Sequence, residues 1–328
     1  MKSIWSCFVG LSSLAFFSTA VAGCYLPVTV IETHDDHAPH DSPSSSAQLR
    51  TCNRVDCAKR YDQVTQLATH NAFAWADAGP VHYKKPNQMH PIRKQLDLGV
   101  RGLGLRPSPH FTLTDSDPND VYVTHNTDLR GALGQEPLVN VLHPIREFLQ
   151  DNPSEVVTIF AESAVTPDAV ARSFEEAGLT EYVYTHMPGS AWPTLGAMVA
   201  GNQRLVVFND SQDPNRPTWQ HYLWDFIVDT DFNVSSSDQF KCGFYRGQPN
   251  NDLYFINHFV YKDDAGILLP DPALATMANQ ESLVHDRAKT CWHETKRIPN
   301  FIYIDWFGLG GALDAVDALN ELPRDLVP

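Results

Sequence analysis

From about residue 52 onward, short apolar runs alternate with amphipathic stretches. The runs at 64–69, 99–106, 121–125, 156–161, 204–209, 253–260 and 301–306 are rich in β-branched, aromatic and leucine residues and predict strands. Several are apolar at successive positions without alternation, as parallel strands covered on both faces should be. Between them, 138–150, 167–177 and 195–200 carry helical spacing, and Asp151-Asn152-Pro153 stops the first of these ahead of the fourth strand. Strand followed by helix, again and again, predicts an α/β fold: a (β/α)8 TIM barrel in one domain over 51–328. The eighth strand is the faintest, at 181–185, so the barrel is expected to be irregular. There is no internal repeat and no second domain boundary.

Composition narrows the function. The chain has 328 residues, 43% hydrophobic, which is ample for one large core. Its formal net charge of −15 argues against nucleic acid as a partner and against adhesion to anionic membranes by charge alone. Residues 1–23 read as an export signal: Lys2, an apolar run over 4–17 too short to span a bilayer, then small residues. Ala20-Val21-Ala22 suits ordinary signal peptidase, whereas Val21-Ala22-Gly23-Cys24 resembles a bacterial lipobox that would lipidate Cys24; Cys24 as an early disulfide partner is the plainer alternative. Once Cys7 leaves with the signal, Cys24, Cys52, Cys57, Cys242 and Cys291 remain, an odd number for an oxidising compartment. Taking Cys24 as an anchor leaves four that can pair. Residues 24–50, rich in His, Asp, Ser and Pro, then form a flexible linker. The expected location is extracellular, or the bacterial outer membrane or periplasm as a lipoprotein.

Barrel active sites form at the C-terminal ends of the strands, and polar residues recur there. His70-Asn71 ends the first predicted strand, Arg106 the second and His125-Asn126 the third; Glu162 follows the fourth, Asn209-Asp210 follows its strand, and Asp305 lies near the end of the last. Any one histidine at a strand end is more often a hydrogen-bonded structural residue. Two histidines, an arginine and carboxylates on one rim instead suit acid–base attack on a phosphate ester.

The segment Arg60-Tyr61-Asp62-Gln63-Val64-Thr65-Gln66-Leu67-Ala68-Thr69-His70-Asn71-Ala72-Phe73 resembles the opening of the X domain of phosphatidylinositol-specific phospholipases C, in particular the secreted PLC-like phosphodiesterases. Gly99-Val100-Arg101-Gly102-Leu103-Gly104-Leu105-Arg106, Val123-Thr124-His125-Asn126, Pro153-Ser154-Glu155-Val156-Val157-Thr158-Ile159, Phe255-Ile256-Asn257-His258-Phe259 and the segment 297–305 resemble that family's later motifs, in order, from about Cys52 to Phe307. The resemblance implies that an inositol 2-hydroxyl attacks phosphorus, with His70 as base and His125 as the acid for the departing diacylglycerol oxygen. Histidine suits both roles by its unperturbed pKa. Asp305, on the strand that a closed barrel sets beside the first, would fix the tautomer of His70.

Two branches of the family meet the phosphate charge differently. One holds calcium with an asparagine after the first histidine, two acids on the second strand and a glutamate after the fourth. Asn71 and Glu162 match that set, but Gly104 and Arg106 stand where the two acids belong, so calcium lacks ligands. The metal-independent branch has an arginine where the ion would sit, which Arg106 matches. That branch also has aspartates at the positions of Asn71 and Gly104, so this chain is a hybrid. A salt bridge to Arg106, as structural or electrostatic support, is the alternative role for Glu162. No metal or other cofactor is expected. The candidate site is therefore His70, His125, Arg106 and Asp305 for catalysis, with Asn71, Glu162, Asn209 and Trp306 against the substrate.

The resemblance also implies bridges Cys52–Cys57 and Cys242–Cys291. His143, His186 and His258 are read as structural. The expected function is a phosphodiesterase acting as a monomer on a phosphoinositide or similar phospholipid at a membrane surface. The alternatives are a metal-dependent glycerophosphodiester or sphingolipid phosphodiesterase, and an idle barrel that binds lipid or glycan.

Overall fold

The computed structural model describes residues 51–76, 83–125, 131–264 and 267–323; the expected export signal over 1–23, Cys24, the expected linker over 24–50 and Asn126 lie outside these residues. Eight parallel strands carry the fold: β1 Gln66–Thr69, β2 Gly102–Leu105, β3 Val157–Ala161, β4 Leu205–Asn209, β5 Gln220–Tyr222, β6 Ile227–Thr230, β7 Leu253–Asn257 and β8 Pro299–Ile304. They pair in the order β5-β4-β3-β2-β1-β8-β7-β6, and Phe244–Arg246 adds an antiparallel strand beside β6. The sheet's two parallel end strands, β5 and β6, are joined in sequence by the short helix Leu223–Phe226 alone. A link that short requires the sheet to curl round on itself. The result is an irregular TIM barrel whose seam is bridged by a helical turn, with no ladder between β5 and β6 among the described residues.

Side chains alternate between two cores, following the period of two of extended backbone. Leu67, Leu103, Leu105, Ile159, Val207, Ile256, Ile302 and Ile304 face outward to the helices. Ala68, Phe160, Val206, Phe208, Phe255, Phe301 and Tyr303 face inward. Phe160 on β3 meets Phe255 on β7 at 5.0 Å between ring centroids and Phe301 on β8 at 4.9 Å, contacts that only a curled sheet allows. These large rings need small neighbours. A Cβ on Gly102 would come 2.5 Å from the Ala68 methyl and 3.1 Å from Phe160, so β2 contributes glycine to the interior where its neighbours contribute aromatics.

The segment 53–61, ahead of β1, is tied to the opposite end of the barrel from the polar rim. Asn53 exchanges hydrogen bonds with both backbone groups of Val156 (2.8 and 2.7 Å), and the Tyr61 hydroxyl meets Thr158 Oγ1 at 2.7 Å. Cys52 is bonded to Cys57, and Cys242 to Cys291, as the resemblance implied.

Two strand expectations are corrected. The run at 121–125 is not a barrel strand. It is the end of Ser116–Thr124, which pairs antiparallel with Pro107–Phe111 and Gln135–Pro137 in a separate three-stranded sheet. No helix intervenes between β2 and this hairpin, so the chain turns back antiparallel and cannot supply the next parallel strand. The weak run at 181–185 is a 3-10 turn, Thr180–Tyr182, followed by a single bridge from Val183 to Leu205. The missing strands are β5 and β6, each too short to show a period of its own. The predicted helices are present at Leu138–Asp151, Pro167–Glu176 and Leu195–Ala200.

Candidate active site

β1 and β8 are neighbours, and this adjacency builds the centre of the site. The ladder continues past β1, with the His70 N–H donating to the Ile304 carbonyl at 2.9 Å. His70 Nδ1 then lies 3.0 Å from Asp305 Oδ1, with both groups buried. The carboxylate accepts, so Nδ1 carries the proton and the Nε2 lone pair is left as the basic site. Asn71 Nδ2 donates toward that Nε2 at 3.2 Å. Asn71 adopts a left-handed φ of 45°, a conformation asparagine tolerates better than most residues. The imidazole is held flat against Phe259 at 4.5 Å between ring centroids.

His125 reaches the same rim from the antiparallel hairpin. Its preceding residue, Thr124, donates its N–H to the Arg106 carbonyl at 3.3 Å. Burial, then the charges of His70 and Arg106, lower its pKa from 6.5 to about 3. Its Nδ1 is buried without a hydrogen-bond partner among the described residues. A buried polar atom that lacks a partner in the free protein suits a site awaiting a ligand.

Arg106 Nη2 bonds Glu162 Oε2 at 2.6 Å, each residue lying just past its strand. Burial opposes both charges, yet each secures the other: Glu162 raises the Arg106 pKa, and Arg106 holds Glu162 below the usual carboxylate range. Glu162 also feels His70, so the pair belongs to the same electrostatic cluster. Arg106 Nε is buried and has no hydrogen-bond partner among the described residues.

The remaining expected residues divide. Asn209 is fully buried and committed to the scaffold, donating to Gln220 Oε1 at 2.8 Å and accepting from the Ser211 N–H at 2.9 Å. Trp306 follows β8 with φ 54°, is partly exposed, and has an Nε1 without a partner among the described residues. His258 is structural: it donates from Nε2 to the Ala278 carbonyl at 2.8 Å and accepts at Nδ1 from Arg287 at 3.1 Å. His186 stacks on Trp192 at 3.8 Å, and His143 is exposed on its helix.

Several contributors have no sequence signal. Asn87 donates to Asp305 Oδ1 at 2.8 Å, and Gln88 ties the His70 and Ile304 carbonyls together at 2.7 and 3.1 Å. Both sit in an irregular connection. Farther round the mouth, Asp229 on β6 takes Arg246 (3.0 Å from Nε) and Asn257 (3.1 Å). Arg246 lies between Trp224 and Phe232, 4.6 and 4.5 Å from their ring centroids. Asp229, Arg246, Asn257 and Trp224, with Glu162 and Tyr303, line one pocket in the barrel.

The donor set does not fit calcium, which wants six to eight oxygens. Gly104 offers no side chain, and a Cβ there would overlap the Tyr303 hydroxyl. Arg106 brings a positive charge to the position of a ligand, and Glu162 is already bound to it.

Buried neutral histidines make a pH dependence. In the fold His125 and His258 have pKa values of about 3 and His221 of about 4, each lowered chiefly by burial from 6.5. The unfolded chain therefore binds more protons between about pH 6.5 and these values. Their stabilising contribution is complete above pH 6.5 and is lost as pH falls through that window. The thermal midpoint is expected to drop steadily from pH 7 to pH 4, with the His258 ring resonances still those of a neutral imidazole at pH 5 by NMR. A His258 titration centred near 6.5 would contradict this.

The sequence profile of the family PI-PLC X 1 matches residues 56–320. A PI-PLC X domain-containing protein of Arabidopsis thaliana is 29% identical over 79% of this chain, which spans 62% of that protein's length. PI-PLC X domain-containing protein 1 of Arthroderma benhamiae is 26% identical over 84% of this chain and 92% of its own. A further relative from the same fungus, 26% identical over 81% of this chain, is named an uncharacterized secreted protein. Among solved structures, phosphatidylinositol-specific phospholipase C from Listeria monocytogenes superposes with a TM-score of 0.56 at 14% identity, over 82% of this chain and 97% of that one. The Staphylococcus aureus enzyme gives 0.55 at 15%, over 82% and 96%. At such identities the likeness speaks for the fold.

Proposed function

This chain belongs to the PI-PLC X domain family, and from that membership we propose that it is an exported phosphodiesterase acting on a phosphoinositide or similar phospholipid. The observation that carries the reading is the His70–Asp305 pair, 3.0 Å apart and buried, with His125 in the electrostatic reach of both His70 and Arg106. His70 Nε2 takes the proton of the attacking hydroxyl, and Asp305 stabilises the imidazolium that forms. Arg106 meets the phosphate charge, held in place by Glu162. His125 is neutral in the free site chiefly because it is buried, with Arg106 and, once it has taken a proton, His70 acting in the same direction. A phosphodiester anion placed among those groups offsets their charges and raises its pKa, so that it carries the proton for the leaving oxygen.

Export is supported by the two disulfides, which persist in oxidising compartments, and by the secreted relative. Residues 1–23 are taken as the signal and Cys24 as the membrane anchor. The test is turnover of phosphatidylinositol vesicles by the purified protein, read as release of water-soluble phosphorylated head group, with and without EDTA. Turnover unchanged by chelator is expected. No cleavage of any phosphodiester would sink the enzyme reading, and loss with EDTA would sink the arginine-for-calcium reading.

A further inference from the structure

Tyr303 lies on β8 in register with Ala68 on β1, and its ring crosses the interior to β2. There its hydroxyl stands over Gly104: a Cβ at that position would overlap the hydroxyl and come 2.7 Å from the ring carbon that bears it. The same spot is 3.1 Å from the Thr69 carbonyl, at the level where β1 delivers His70. The Tyr303 ring centroid is 5.3 Å from that of His70, and the residue lines the pocket together with Glu162. Gly104 is therefore not a lost ligand position that happens to be empty. It is the space that a phenol occupies.

We infer that the Tyr303 hydroxyl is a second phosphate donor, hydrogen-bonding a non-bridging oxygen of the bound phosphodiester beside Arg106, and that Gly104 is glycine to admit it. The inference rests on the phosphodiesterase reading and adds to it a residue that touches substrate. The surroundings support it. Burial, with Glu162 and Asp305 nearby, raises the phenol's pKa well above 10, so it stays a donor across the working range. Arg106 and the Asn71 backbone act the other way without outweighing burial. Glu162, which bonds Arg106, lines the same pocket as Tyr303, so the guanidinium and the phenol stand beside one carboxylate. A neutral donor adds stabilisation without adding another positive charge to those that already depress His125. A fixed donor aimed at developing phosphate charge acts mainly in the transition state.

The test is Tyr303→Phe, which keeps the ring and its packing, alongside Gly104→Ala, which displaces the hydroxyl, and the double variant. On a soluble phosphodiester, kcat is expected to fall about 10²-fold in Tyr303→Phe, with KM within about threefold of wild type. Gly104→Ala should lose a similar factor, and the double variant should lose no more than the worse single one. The thermal midpoint of Tyr303→Phe reports folding separately. A kcat within twofold of wild type, or single losses that multiply in the double variant, overturns the inference. Orthophosphate affinity, followed by 31P NMR, separates this from the parent reading. If wild type cleaves no phosphodiester, that reading fails, while phosphate binding weakened about fivefold by Tyr303→Phe still supports the donor. Equal affinity in the two proteins, or no phosphate binding by wild type, overturns it.

Discussion

Replacing His70 by alanine is expected to lower kcat/KM on phosphatidylinositol by about 10²–10⁴-fold, the range that a positioned acid–base group contributes. The geometry gives the imidazole one usable lone pair. Asp305 Oδ1 takes the Nδ1 side at 3.0 Å, and Asn87 supports the same oxygen at 2.8 Å. Asp305→Asn tests whether the carboxylate sets this tautomer. It keeps the shape, removes the acceptor charge, and should cost a comparable factor with little change in KM. Alanine at His125 should cost a similar amount with a leaving group of high pKa, and less with an activated aryl leaving group that departs without protonation. If the His125→Ala loss is the same for both leaving groups, His125 is not the acid. Thermal unfolding of each variant separates lost chemistry from lost structure.

The second large effect is at Arg106. Alanine there should lower kcat by about 10²–10³-fold, the scale for a preorganised donor facing transition-state charge. Lysine should recover only part of the loss, because a point charge cannot make the same planar, two-pronged contact. Added calcium should not restore turnover, since Gly104 still supplies no ligand and Tyr303 still fills its space. The same substitution reports on His125. Arg106 is one of the charges that lower its pKa to about 3, so its removal should move the His125 titration upward in the free protein. An unmoved His125 would separate the two residues and undo the shared phosphate site. Glu162, left without its partner, would be a partly buried unpaired carboxylate; the Arg106→Ala/Glu162→Ala double variant controls for that.

The sequence was read most reliably where the physics is local. Six of the seven predicted strands are in the barrel, because strands covered on both faces write continuous apolar runs into the chain. The seventh, at 121–125, looks the same but pairs in a hairpin, since apolar pattern alone does not choose a partner strand. β5 and β6 were invisible for the opposite reason. They have three and four residues, and the barrel's curvature makes them strands, not their own periodicity. Asn209 shows the same limit among site residues. Its place at a strand end suggested the substrate, but only the fold shows its amide bound to Gln220.

By itself, the sequence determined the barrel class, the position of His70, Arg106 and Glu162 at strand ends, and the ordered motifs that name the family, because each is carried by residues close along the chain. Only the tertiary structure decided which groups share a hydrogen bond. Asp305 meets a histidine 235 positions away because β8 lies beside β1. Asn87 enters from an irregular loop, and His125 from a hairpin. Gly104 changed meaning most. In the sequence it is a missing carboxylate, and in the fold it is the room that the Tyr303 hydroxyl requires. That pairing depends on which rings fill a closed interior, a property of the packed barrel that no single strand contains.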